Sequence, residues 1–154
     1  MKTRILSLLG VLALSVPALA QTHELSGATN GNFRFAKGSL WFFDATTNYD
    51  YTLTNEIQVG ARAYFLKPKG SEFVFGLAPG ITYNIGAIPE AIFVGAHLGY
   101  AKGGYWSFDV EAGKRFEIAP GVSWKPYVSY ALAFKPSPST WALRIVPVSL
   151  SVHW

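Results

Sequence analysis

From residue 41 onward, apolar and polar side chains alternate with a period of two, the period of a strand whose successive side chains point to opposite faces. Ile57, Val59, Ala61, Ala63 and Phe65 oppose Glu56, Gln58, Gly60, Arg62 and Tyr64. Phe73, Phe75, Leu77, Pro79, Ile81, Tyr83 and Ile85 oppose Val74, Gly76, Ala78, Gly80, Thr82, Asn84 and Gly86. Ile92, Val94, Ala96, Leu98 and Tyr100 oppose Phe93, Gly95, His97 and Gly99, and Trp106, Phe108, Val110 and Ala112 oppose Tyr105, Ser107, Asp109, Glu111 and Gly113. Val122, Trp124, Pro126, Val128, Tyr130, Leu132 and Phe134 face away from Ser123, Lys125, Tyr127, Ser129 and Ala131. The last nine residues set Val146, Val148, Leu150, Val152 and Trp154 against Pro147, Ser149, Ser151 and His153. Trp41, Phe43, Ala45, Tyr49 and Tyr51, opposite Phe42, Asp44, Thr46, Asn48 and Asp50, form a less regular strand.

These segments predict an all-β chain of seven strands. Single-chain bacterial membrane barrels carry an even number, so the stretch from Leu25 to Ala36 supplies the eighth, its alternation diluted by Gly27, Asn30, Gly31 and Asn32. Eight strands of about 10 residues also fit the length of the chain. The expected architecture is an eight-stranded antiparallel up-and-down transmembrane barrel with short loops. Prolines test it, because a proline in a central strand removes a ladder hydrogen bond. Pro79 and Pro126 fall within strands, and around Pro147 the apolar face changes phase. Trp141, Leu143 and Ile145 hold it at odd positions before, and even positions hold it after. One inserted residue explains such a change, and it turns Arg144 inward.

The content of the two faces decides which meets lipid. One is nearly all aliphatic, aromatic or alanine; the other mixes Gly, Ser, Thr and ionisable residues. A soluble lipocalin-like carrier inverts this, lining a cavity with apolar side chains. Here Asp44, Glu56, Arg62, Asp109, Glu111, Lys125 and Arg144 are expected to project into the interior, where buried charges must pair. The aromatic residues Trp41, Tyr83, Tyr100, Trp106, Trp124, Phe134, Trp141 and Trp154 are expected at the two membrane interfaces.

The N-terminus carries Lys2 and Arg4, an apolar run from Ile5 to Val16 and the small-residue site Ala18-Leu19-Ala20. That is the pattern of a cleaved signal peptide over residues 1–20, leaving a barrel over 21–154. No later stretch approaches the roughly 18 to 20 apolar residues of a transmembrane helix. The chain has no cysteine, which closes thiolate zinc and disulfide chemistry.

Composition agrees with an outer-membrane location: 50% apolar, 16% aromatic and 14% charged residues, against about 25% charged in ordinary soluble domains. Without Lys2 and Arg4 the 13 Lys and Arg fall to 11, against 9 Asp and Glu. A net charge of +2 gives no support to nucleic-acid binding. With Trp154 at the periplasmic rim, the outer turns hold Lys37, Lys67, Lys69, Lys102 and Lys135. The periplasmic turns, near Asp50 to Glu56, Ala87 to Glu90 and Glu117 to Gly121, hold acid instead. Lysine ammonium groups at the outer rim suit the phosphates of lipopolysaccharide.

Signal peptide, alternation and the ending Val148-Ser149-Leu150-Ser151-Val152-His153-Trp154 together resemble the small eight-stranded outer-membrane barrels, such as the OmpA transmembrane domain and the OmpX group. The resemblance covers nearly all of the mature chain. It implies recognition by the barrel-assembly machinery through Val148, Leu150, Val152 and Trp154, although the usual terminal residue is phenylalanine. It implies a monomer with no cofactor, in contact with outer-membrane lipid. The outer loops are shorter than those through which such relatives engage partners, so a structural or envelope-interaction role is expected.

Three other functions compete with this reading. Some small barrels modify lipid A, and Ser151, Ser107 or Ser123 with His23, His97 or His153 and an acid could form a catalytic triad. The similar deacylases carry histidine two residues before serine, whereas here Ser151 precedes His153. The three histidines lack the close spacing of a metal site. A narrow pore is disfavoured because side chains fill an eight-stranded interior, although Gly76, Ala78, Gly80, Gly95 and Gly99 leave room for local cavities.

Overall fold

The computed structural model describes residues 23–29, 33–36, 42–68, 74–88, 90–102, 104–134 and 140–154. The proposed signal peptide and Trp41 lie outside the described residues, as do Lys37, Lys69 and Lys135. The described residues form twelve strands: β1 (His23–Thr29), β2 (Phe33–Ala36), β3 (Phe42–Thr52), β4 (Ile57–Pro68), β5 (Val74–Ile85), β6 (Ile92–Ala101), β7 (Tyr105–Lys114), β8 (Phe116–Ala119), β9 (Val122–Trp124), β10 (Tyr127–Ala133), β11 (Thr140–Val146) and β12 (Leu150–His153).

Every pairing among them is antiparallel, and β3 to β7 are neighbours in chain order. The sheet then curls back on itself. β1 pairs with β3 on one side and β12 on the other, while β2 pairs with β11. At the meeting of the termini, His23 N–H donates to Trp154 C=O at 2.8 Å and Trp154 N–H to His23 C=O at 3.1 Å. The first strand thus starts at His23, two residues before the alternation becomes visible at Leu25. The seam is also held by aromatic contact, with the His23 ring stacked on Trp154 at 5.6 Å and its Nδ1 2.7 Å from the Tyr49 hydroxyl.

The faces divide as the alternation predicts. Outward-facing Leu77, Ile81, Leu98, Val128 and Leu150 are exposed, whereas inward Thr82, Asn84, His97, Asp109, Glu111 and Ser129 are buried. An apolar exterior around a polar interior reverses the arrangement of a water-soluble barrel. Exposed aromatic residues gather at the two ends of the strands. Tyr100 packs edge-on to Trp106 at 5.0 Å at one end, and Phe116 stacks on Trp124 at 5.2 Å at the other, where Trp154 also lies.

Each mid-strand proline coincides with a lapse in a ladder. Pro79 stays paired with Ala61 of β4, but pairing of β5 with β6 stops after Leu77 and resumes at Gly80. Pro126 separates β9 from β10 and Pro147 separates β11 from β12. Lacking an N–H, proline cannot donate there. At Pro147 the strand carries an extra residue. Tyr127 pairs with Val146 and Trp124 with Leu150, so three steps along one strand match four along the other. The Trp124 indole N–H donates to the Pro147 carbonyl at 2.7 Å, satisfying a group that the bulge frees from the ladder. The phase change corrects one expectation: Val146 precedes the inserted residue and is buried inside, 1% exposed, instead of sharing the outer face of Val148 and Leu150.

Candidate functional site in the barrel interior

Two clusters of ionised side chains fill the interior, at different heights along the strands. In the first, Arg62 of β4 spans the lumen to β7. Its Nη1 donates to Asp109 Oδ1 at 2.6 Å, its Nη2 to Glu111 Oε2, and its Nε to Asn48 Oδ1 at 2.8 Å. Arg144 of β11 donates from Nη2 to Asp109 Oδ2 at 2.9 Å. Each of the two carboxylates thus holds a guanidinium partner. Side chains of this size fit because glycines face them: a Cβ on Gly95 would stand 3.0 Å from Glu111 Cγ, and one on Gly80 2.7 Å from His97 Cγ.

The second cluster surrounds Glu24 of β1, wholly buried. Arg115 Nη2 donates to its Oε2 at 2.8 Å and Lys125 Nζ to its Oε1 at 2.9 Å. Gln58 Nε2 adds a third donor at 3.0 Å, and Arg115 Nη1 donates to Asn84 Oδ1 at 2.6 Å. Asp50, the cross-strand partner of Glu24, is buried on the same face. Pairing matters at each level because a buried ion deprived of its partner costs several kcal/mol.

An apolar layer of Phe93, Tyr127, Val146 and Ala28 separates the clusters. Along the neighbouring strands Lys125, Tyr127 and Ser129 are successive inward positions, as are Glu111, Gly113 and Arg115. The Phe93 ring lies 4.8 Å from the Arg115 guanidinium and 4.7 Å from the Lys125 ammonium, a cation–π arrangement in a desolvated setting. Gly113 makes room for it, since a Cβ there would meet Tyr127 Cβ at 2.7 Å and Phe93 Cζ at 2.8 Å. Small inward residues thus seat bulky neighbours: Tyr64 lies against Gly76 and Ser107 against Gly99.

Of the seven charges expected inside, Arg62, Asp109, Glu111 and Arg144 come together, and Lys125 joins the other cluster. Glu56 does not belong. It is exposed in the turn before β4, which starts only at Ile57, and the Tyr83 hydroxyl approaches its carboxylate at 3.3 Å. Asp44 lies in β3 opposite Leu66. Sequence reasoning missed Glu24 and Arg115. Carrying the alternation two residues beyond Gly113 places Arg115 on the face of Asp109 and Glu111, and starting the first strand at His23 gives Glu24 the inward parity of Ser26 and Ala28.

Lys102 is exposed at the turn after β6, and Lys67 lies near the same end in β4, opposite Phe43. In the C-terminal segment, Val148, Leu150, Val152 and Trp154 are all exposed on the outer face.

Two arrangements resemble reactive or metal-binding groups. Ser151 Oγ lies 3.2 Å from His153 Nε2, and His153 Nδ1 lies 4.0 Å from Glu24 Oε2. Ser151 is fully buried, and Glu24 is already ion-paired with Arg115 and Lys125. His97, Asp109 and Glu111 offer ligand atoms within 4.8 Å of one another. Arg62 already bridges the two carboxylates, and a divalent ion would have to displace it.

No family model matches the chain, and no curated protein matches it by sequence. Solved structures do. Neisserial surface protein A is similar over 86% of this chain and 96% of its own, with 15% identity and a TM-score of 0.62. The N-terminal β-barrel domain of Pseudomonas aeruginosa OprF matches over 86% of this chain and 97% of its own, with 10% identity and a TM-score of 0.56. A structure from the de novo design of transmembrane β-barrels matches over 87% and 95%, with 11% identity and a TM-score of 0.54. The chain has the fold of the small outer-membrane barrels.

Proposed function

We propose that the twelve described strands belong to eight membrane-crossing strands, with β1 and β2, β7 and β8, β9 and β10, and β11 and β12 each forming one, and that the protein is a monomeric structural or envelope-interaction component of the outer membrane. The observation that carries this reading is the apolar exterior around two interior clusters of paired ions. Lipid is the solvent such an exterior requires, and ions paired across the lumen hold opposite walls together. A soluble carrier lacks a reason for exposed Leu77, Ile81 and Leu98, and a pore for an interior crossed by Arg62 and Phe93. Catalysis finds little support in a fully buried Ser151 whose neighbouring acid is already paired.

The basic outer turns are the surface through which this component contacts lipopolysaccharide, by charge-assisted hydrogen bonds from lysine to phosphate. The candidate contacts are Lys37, Lys67, Lys69, Lys102 and Lys135, and of the two that are described, Lys67 lies near the end of β4 and Lys102 is exposed after β6. The test is thermal unfolding of the refolded protein with and without lipopolysaccharide. Wild type is expected to unfold at a higher temperature with the lipid present, and a Lys67→Gln, Lys69→Gln, Lys102→Gln variant to lose most of that increment. An increment equal in both proteins contradicts the contact.

A further inference from the structure

The outer face of the sheet carries one charge among the strand positions whose outward side chains are described. Lys114, the last residue of β7, follows exposed Val110 and Ala112 on that face, while Arg115 beside it turns inward and is buried. Its cross-strand partner Ile92 is exposed and apolar. No acid among the described residues pairs with it; the contact it makes is with an aromatic ring. An ionisable side chain on a lipid-facing surface calls for a functional explanation.

Its height decides what it meets. Trp106 and Phe116 stand ten residues apart along the chain, each within an exposed aromatic pair at one end of the strands. At about 3.3 Å per residue and a tilt of roughly 40°, that spacing is about 25 Å across the membrane, the height of the apolar band of such barrels. Lys114 then leaves the backbone about 5 Å inside the edge of the band. Its ammonium reaches back out, to 4.9 Å from the Phe116 ring, which stacks on Trp124 at 5.2 Å. A long cationic side chain that extends in this way sets its charge among lipid headgroups. Farther from the band come exposed Glu117 of β8 and exposed Glu90, which lies in the turn before β6. A base at the edge of the hydrocarbon with acids beyond it complements a headgroup in which a phosphate is followed by an ammonium.

We propose that Lys114, Phe116 and Trp124 form a site for a phospholipid whose phosphate is followed by a primary amine. The phosphate accepts from the Lys114 ammonium, the amine turns toward Glu90 and Glu117, and the acyl chains lie along Ile92, Val110 and Ala112. The site rests on the reading that the apolar exterior meets lipid. It is independent of the lipopolysaccharide contact, since Lys67 and Lys102 follow the opposite ends of their strands.

The test is native mass spectrometry of the full mature protein, released from detergent micelles titrated with phosphatidylethanolamine, phosphatidylglycerol or phosphatidylcholine of identical acyl chains. A mobility shift on boiling checks that each variant is a folded barrel, so loss of the fold and loss of the site are told apart. Wild type is expected to retain phosphatidylethanolamine more tightly than either other lipid. Lys114→Gln is expected to weaken that adduct about tenfold, the scale of one charge-assisted hydrogen bond, and Lys114→Arg to keep it. A Glu90→Gln, Glu117→Gln variant is expected to lose the preference for phosphatidylethanolamine over phosphatidylglycerol. An unchanged adduct in Lys114→Gln, tighter retention of phosphatidylglycerol by wild type, or no adduct in a protein that still shifts on boiling overturns the site alone. A wild type that shows no shift overturns the barrel reading and the site with it.

Discussion

Arg62 touches Asn48, Asp109 and Glu111 from one buried position, so three strands depend on a single guanidinium. Arg62→Met strips Glu111 of its bridging cation and leaves Asp109 to Arg144. The expected loss is about 3–5 kcal/mol of stability, the cost of breaking a buried ion pair from one side, read from denaturant unfolding in detergent. Adding Glu111→Gln to the same chain, which leaves Asp109 paired with Arg144, is expected to restore part of it, and a single variant as stable as wild type contradicts the role. The acids of this cluster and Arg62 were legible in the sequence because they lie mid-strand, where alternation is cleanest. Glu24 and Arg115 were not, since one sits at the very start of a glycine-diluted strand and the other beyond the apparent end of β7. Glu56 shows the converse error: parity was extended across a turn where the backbone does not maintain it.

Strands obey the same rule of parity until an irregularity resets it. The bulge at Pro147 was visible as a change of phase, yet counting backward from Trp154 carried Val146 to the wrong face, because the count crossed the inserted residue. Pro79 illustrates a milder case, in which the strand keeps its parity while one ladder lapses beside it. The bulge depends on Trp124, whose indole N–H reaches the Pro147 carbonyl. Trp124→Phe keeps the ring and removes the donor, so the expected cost is about 0.5–1.5 kcal/mol, with faster hydrogen exchange at Lys125, whose N–H donates to Ser149 across the break at 2.8 Å. Unchanged exchange there separates the indole from the bulge.

At the scale of the molecule the account rests on which face meets lipid. Val128 is an outward residue near the middle of its strand, 46% exposed. Arginine there is expected to destabilise the barrel by about 2–4 kcal/mol if it lies near the bilayer midplane, measured by unfolding in lipid vesicles, and an equally stable Val128→Arg contradicts the facing. Architecture was legible from the chain because a lipid-facing barrel must show one apolar and one polar parity in strand after strand. Function was less so, because ions that neutralise one another within the lumen and lysines in turns carry no signature of a particular partner. The most direct test of the central claim is fractionation of the expressed protein, followed by electrophoresis with and without boiling in detergent. A membrane barrel is expected in the outer-membrane fraction with a mobility that shifts on boiling; recovery from the soluble periplasm with no shift contradicts the account and favours a lipocalin-like carrier.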